Sequence, residues 1–294
     1  MTILLFVIAL FGFGIGALFL GGLLAGVDRI ITARLQGRVG PPLLQPFYDV
    51  GKLLAKEDRW LNGFESFYIF LALIIVILSG AFFFSGGNLL MVVFLIGLAS
   101  LLFIVAAYCT RSPFAEIGAQ REIIQVMSYE PMIILMAVFY YSASGSFDVA
   151  ATVGLDLPLL TQIPLIFIGL LFVLTTKLRK SPFDLSFSHH AHQELVKGVT
   201  TEMSGKTLAL VEIMHWYESV LFLGYVALFF VWGSLWAVLV ALVAVALVYF
   251  LEIIIDNSFA RVKWQAMLSW SWLVTLLVVS VSVVVAVITN TGLL

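Results

Sequence analysis

Glu212, His215 and Glu218 stand in a stretch, Thr207–Trp232, that otherwise carries no charge. On a helix turning about 100° per residue the three share an arc of about 120° and climb the axis in steps of about 4.5 Å. Glu202 and Glu194 continue the carboxylate series into the segment before it. Acid–base groups stepped in this way are what a hydrated proton or cation path needs, since each can take up and pass on a proton. The same arc would also serve as a polar face against a neighbouring subunit. Glu130 raises the question alone. It lies about seven residues, or about 10 Å, into the apolar stretch Ile123–Ser142, and a charge inside a bilayer costs at least ~2.5–3.5 kcal/mol on insertion scales. Proline removes a backbone donor and disfavours helical geometry in the residue before it, so Pro131 predicts a helix loosened at the carboxylate. That would make a stopping point for a proton or cation; a structural pair with a basic residue such as Arg121 is the other reading. Glu252 and Asp256, four apart near the end of a further apolar stretch, fit a solvated helix end equally well.

His189, His190 and His192 form a compact cluster. No second group of ligands lies at a familiar spacing, so proton exchange or an interface role stands ahead of metal binding. Cys109 is the single cysteine. One thiol makes no internal disulfide and holds neither an iron–sulfur cluster nor a thiolate-bound nickel, so any redox metal must belong to another chain. Cys109 itself reads as a small apolar filler at a helix end.

The elements that must position these groups are membrane helices. Of 294 residues, 62% are hydrophobic and 11% charged, less than half the charge of a typical soluble domain, about 25%. A spanning helix needs about 20 largely apolar residues. Eight stretches qualify: Thr2–Val27, Phe67–Phe84, Leu90–Tyr108, Ile123–Ser142, Leu159–Thr176, Thr207–Trp232, Leu235–Ile255 and Ala266–Thr289. The first lacks a basic leader and exceeds the about 7–15 residues of a signal-peptide core, so it reads as a retained helix. The expected fold is all-α and polytopic, a single transmembrane domain over 1–294.

All 15 Lys and Arg residues fall after the first, third, fifth and seventh stretches. Positive residues stay in the cytoplasm on insertion, so loops at about 28–66, 109–122, 177–206 and 256–265 are expected there, with both termini on the opposite side of the cell membrane. Within the first loop, Leu43, Leu44, Phe47, Val50, Leu53 and Leu54 recur at helical spacing, which predicts an amphipathic surface helix over Leu43–Trp60. The pairs Gly12/Gly16 and Gly22/Gly26 suit close helix packing. No internal repeat of the kind common in secondary transporters is visible.

Three cytoplasmic stretches resemble a known family. Asp28-Arg29, Ala33 through Pro41, Leu44-Gln45-Pro46 and Lys52-Leu53 resemble the first loop of the quinone-site membrane subunit of respiratory complex I. Gly118 through Arg121 with Met127 through Glu130 is similar to the start of that family's fourth helix. Ser181 through Leu185, Glu194 through Gly198 and Glu202 through Gly205 resemble the loop between its fifth and sixth helices. Where complex I has an acidic Pro-Glu-Ala-Glu run, this chain has Ser186 through Gln193. That histidine run and the Arg38-Val39-Gly40-Pro41-Pro42 turn resemble the homologous subunit of membrane-bound [NiFe] hydrogenases of the energy-converting, Ech-like group.

The resemblance implies a membrane subunit without a cofactor of its own. The NiFe centre and the iron–sulfur clusters would sit on the large and small hydrogenase subunits, with ferredoxin as electron donor and antiporter-like subunits alongside in the bilayer; nucleic acid is not among the partners. It implies that Arg34, Arg38, His189, His190 and His192 face the hydrogenase module. Glu130, Glu194, Glu202, Glu212, His215, Glu218 and Asp184 would form the ion path that couples hydrogen evolution to proton or sodium translocation. Two alternatives stay open: a true complex I subunit holding a quinone, against which the histidine replacement argues, and an independent secondary transporter, against which the two long cytoplasmic loops argue.

Overall fold

A computed structural model of the chain describes residues 3–57, 63–186, 197–234 and 236–290. Among these residues ten α-helices follow one another: α1 (Ile3–Leu35), α2 (Gln45–Ala55), α3 (Gly63–Phe84), α4 (Leu89–Cys109), α5 (Pro113–Ser144), α6 (Leu159–Gln162), α7 (Pro164–Lys177), α8 (Gly205–Leu228), α9 (Trp236–Ser258) and α10 (Trp264–Asn290). The described residues contain no sheet, only an isolated bridge between Asn88 and Asp148. Among the described residues six helices are long and apolar enough to cross a membrane: α1, α3, α4, α5, α9 and α10. The other two expected stretches depart from that standard for local reasons. Pro164 restarts the fifth after Ile163, leaving α7 with 14 residues, and α8 carries Lys206, Glu212, His215 and Glu218.

Boundaries also shift. Helix α1 extends past Val27 to Leu35, and α5 begins at Pro113, so Arg29, Arg34 and Arg121 lie on helices instead of loops. The surface helix is shorter than Leu43–Trp60 and covers Gln45–Ala55, with residues 58–60 outside the described part. The loosening expected at Pro131 does not interrupt the helix: α5 runs through it to Gly145, whose φ of 73° closes the helix. Packing on both sides holds the turn, as membrane helices commonly do around proline.

Helix α3 packs on α1, α4 and α8, while α5 joins α4 to α7 and α10. Their shared core is a continuous apolar cluster that includes Phe103, Tyr140, Phe222 and Tyr225, each at most 1% exposed. Helices α1 and α10 form the flanks, with only 17% of their apolar windows buried. Helix α2 lies across α1 and α8. Phe47 meets Trp216 edge-on at 5.2 Å between ring centres, and Arg29 pairs with Asp49 at 2.6 Å. Close approach is possible because α1 presents Gly22 under the Phe47 ring and Gly26 under the Leu43 carbonyl. Burial opposes ionisation of Asp49, but hydrogen bonds from Arg29 and Gln45 outweigh it and hold the carboxyl below its ordinary value of 3.8.

Candidate functional site

The site is built around the C-terminal end of α7. Leu178 leaves the helix, Arg179 takes a left-handed conformation (φ 54°), and the chain reverses. Arg179 N donates to Thr176 O (3.2 Å) and Lys180 N to Thr175 O (3.0 Å), the paired bonds of a Schellman cap. Glycine usually fills the left-handed position because a side chain there costs roughly 1–2 kcal/mol. Here an arginine does, and the reversal fans three cations towards three regions of the bundle.

Lys177 turns inward. Its Nζ lies 3.8 Å from Glu218 Oε1, donates to Ser100 Oγ (3.2 Å) and stands 4.3 Å over the Tyr129 ring. Tyr129 OH is 3.1 Å from the same Ser100 hydroxyl. Arg179 reaches Glu122 of α5 (3.5 Å), and Ser186 Oγ lies 2.5 Å from both Glu122 and Gln125. Lys180 pairs with Asp28 of α1 and with Asp256 of α9 (3.5 Å), and Asp256 also accepts from Ser181 N (2.8 Å). One turn thus ties together carboxylates from four helices. A buried charge costs several kcal/mol unless paired, so the pairing explains how this apolar bundle tolerates them.

Beside this turn is a cavity of about 290 Å³, walled by α1, α8, α9 and the segment after α7. Lys177, Arg179, Lys180 and Arg261 line it against Asp28, Asp184, Glu212 and Asp256, with His215 in the same wall. His215 Nδ1 lies 3.3 Å from Glu218 Oε2, so the α8 ladder leads from the cavity wall to the buried Lys177 pair. Asp184 Oδ2 accepts from Arg261 (3.2 Å), while its Oδ1 has no hydrogen-bond partner among the described residues. Burial raises the Asp184 carboxyl to about 7, against the pull of Arg261 and Arg179.

The expected residues therefore divide. Glu212, His215 and Asp184 are brought together in the cavity wall, and Glu218 stands behind them against His215. Glu202 is half-buried and is an electrostatic neighbour of buried Glu65 on α3. Glu130 sits apart, in the seam between α4 and α5, where its carboxylate lies against Gly97. Arg121 lies over the Trp264 ring, 5.5 Å from its centre. Arg34 and Arg38 are exposed at the end of α1, where Gln36 bonds Asn257 of α9 (3.0 Å). Glu194, His189, His190 and His192 fall outside the described residues.

Sequence reasoning passed over Glu122, Lys177, Arg179 and Lys180. Of the two settings open for Glu252, the solvated helix end is ruled out: the residue is 1% exposed, and neither carboxylate oxygen has a hydrogen-bond partner among the described residues. Its position one turn before Asp256, on the face that carries Tyr249, was the available signal. Among the described residues no group of three or more His, Cys, Asp or Glu could hold a metal.

Comparison with known proteins assigns this architecture. The family described as NADH dehydrogenase matches residues 6–287. The chain belongs to the membrane-subunit family shared by complex I and the [NiFe] hydrogenases. Hydrogenase-4 component C of Escherichia coli (strain K12) is 29% identical over 87% of this chain and 88% of its own length. Formate hydrogenlyase subunit 4 of the same organism is 27% identical over 82% and 86%. A subunit of the NADH-quinone oxidoreductase of Geobacillus kaustophilus (strain HTA426) is 29% identical over 96% and 94%. The fold recurs in a solved chain of the membrane-bound sulfane sulfur reductase, an archaeal respiratory membrane complex, with a TM-score of 0.85, 24% identity and coverage of 97% of this chain and 100% of that one. In this membrane-subunit family the turn after α7 and its cavity lie within the matched region.

Proposed function

We propose that this subunit docks a cytoplasmic [NiFe] hydrogenase module and couples ferredoxin oxidation and hydrogen evolution to the movement of protons or sodium ions. The observation that carries the reading is the run of contacting charges from the cavity to mid-bundle. Glu212 and His215 stand in the cavity wall, His215 meets Glu218, Glu218 faces Lys177, and Lys177 stands over Tyr129. Tyr129 also lines the small pocket that receives Glu130, so Glu130 is the next station towards the outer faces of α4 and α5. A change of charge at the cytoplasmic end shifts each pair in turn, because ion pairs in a low-dielectric interior interact strongly.

Helices α7 and α8 complete eight crossings in this reading, and the basic residues at the end of α1, at the start of α5 and just after α7 and α9 share the cytoplasmic side, with both termini opposite. Exposed Arg34 and Arg38, with His189, His190 and His192, would meet the large and small hydrogenase subunits. Antiporter-like subunits would cover the Glu130 side and receive the ion. The charged lining of a cavity of about 290 Å³ favours ions and water over a quinone ring, which calls for largely apolar walls. Gentle purification from native membranes, with subunit identification and metal analysis, tests the reading. Nickel and iron with a cysteine-rich cytoplasmic partner support it. Flavin and iron without nickel would turn it towards quinone reduction, and recovery of the chain alone would turn it towards a transporter.

A further inference from the structure

Gly97 of α4 is surrounded unlike the other buried glycines. A Cβ built there would stand 2.7 Å from Glu130 Oε1 and 3.8 Å from Glu130 Cδ, with no other heavy atom of the described residues within 4 Å beyond its chain neighbours and the adjoining backbone of α4. Elsewhere a missing side chain makes room for packing: Gly118 for the backbone of Gly198 and Val199, Gly21 for Trp216, Gly80 for the Phe13 ring. At Gly97 the space is kept for one carboxylate. Glycine costs about 1 kcal/mol relative to alanine inside a helix, and α4 uses alanine at its buried positions 99, 106 and 107.

The pocket is small and closed in by Val93, Ile96, Tyr129 and Ile133, with a volume of about 10 Å³. That is room for one water molecule at most. Pro131, next to Glu130, lacks the N–H that would otherwise bond the Met127 carbonyl one turn back. The Glu130 carboxylate lies against the α4 backbone at Gly97, one residue before this gap in the α5 hydrogen bonding, and is held at a defined depth in the seam.

From this geometry we infer that Gly97 is a positioning residue: it admits the Glu130 carboxylate to the α4–α5 seam and so fixes the point where an ion passes from Tyr129 to the outer face. The inference rests on the ion-path reading above. A methyl group at 97 pushes the carboxylate out of the seam, and shortening the acid by one carbon gives the space back.

The test is a double-mutant cycle in the intact complex, reading ion uptake per redox turnover in inverted membrane vesicles, after assembly has been checked. G97A is expected to lose uptake as E130Q does while redox turnover persists. In the E130D background the same G97A change is expected to have no further effect. If G97A alone reduces assembly, G97A/E130D should restore it, since the clash is with the longer side chain. Full uptake in G97A, or an equal loss from G97A in both backgrounds, overturns the positioning role and leaves the path standing. Full uptake in E130Q instead sinks Glu130 as part of the path, and the role of Gly97 with it.

Discussion

Replacing Lys177 with methionine isolates what the charge network contributes. Lys177 and Glu218 are 6% and 8% exposed and 3.8 Å apart. At an effective dielectric of about 20, that separation corresponds to an attraction of ~4 kcal/mol. Removing one partner of a buried pair costs ~3–5 kcal/mol, because the other charge is left uncompensated. His215, 3.3 Å from Glu218, still offers a partner, and Tyr129 still bonds Ser100. The expected loss for K177M is therefore at the lower end, ~3 kcal/mol. Adding E218L removes the stranded carboxylate, and an apolar pair of similar volume should bring stability back to within about 1 kcal/mol of the original. Thermal dissociation of the purified complex gives the order: K177M below K177M/E218L, with the latter near wild type. Ion uptake separates the two roles, since the double variant should stay stable yet uncoupled. K177M melting like wild type would refute the buried pairing, and a double variant that recovers both stability and ion uptake would show the pair to be a structural staple only.

Asp184 gives a pH signature. Burial raises its carboxyl from 3.8 to about 7, so between these values the folded protein holds a proton that the unfolded chain has released. Stability from this group is greatest at the low end, falls as pH rises through the window by up to about 4 kcal/mol, and is flat above about 7. D184N should remove that slope, read as the difference between variant and wild-type melting curves from acid to neutral pH; parallel curves would contradict it. At the α1–α2 contact, a side chain at Gly26 meets the Leu43 carbonyl, so G26V should lift α2 off the bundle and increase protease cleavage around residues 45–55. Unchanged cleavage would show that α2 is held by Arg29–Asp49 and Phe47–Trp216 alone.

The all-α, polytopic character of the fold was legible because bilayer insertion writes it into long apolar stretches. What failed was local. The helix ends at Leu35 and Pro113 run beyond the apolar stretches because polar residues continue a helix once it leaves the bilayer. The α8 ladder could be read from its 3.6-residue period, which is why Glu212, His215 and Glu218 were found. Lys177, Arg179 and Lys180 were not, since they served only as markers of the cytoplasmic side. Their roles depend on a left-handed arginine and on carboxylates about 40 to 150 residues away in sequence, a relation that periodicity does not carry. Glu252 stayed open for a related reason: a carboxylate near a helix end fits a solvated setting as well as a buried one until the neighbouring helices are in place.

The most direct test of a coupling relay is ion uptake per redox turnover in the complex carrying E218Q, in sealed inverted vesicles. Glu218 sits where the cavity ladder meets Lys177, and glutamine keeps its shape while removing the charge and the exchangeable proton. The expected result is redox turnover that continues while ion uptake collapses. An unchanged ratio of ions moved to electrons transferred would contradict the relay and leave this subunit as a docking platform alone.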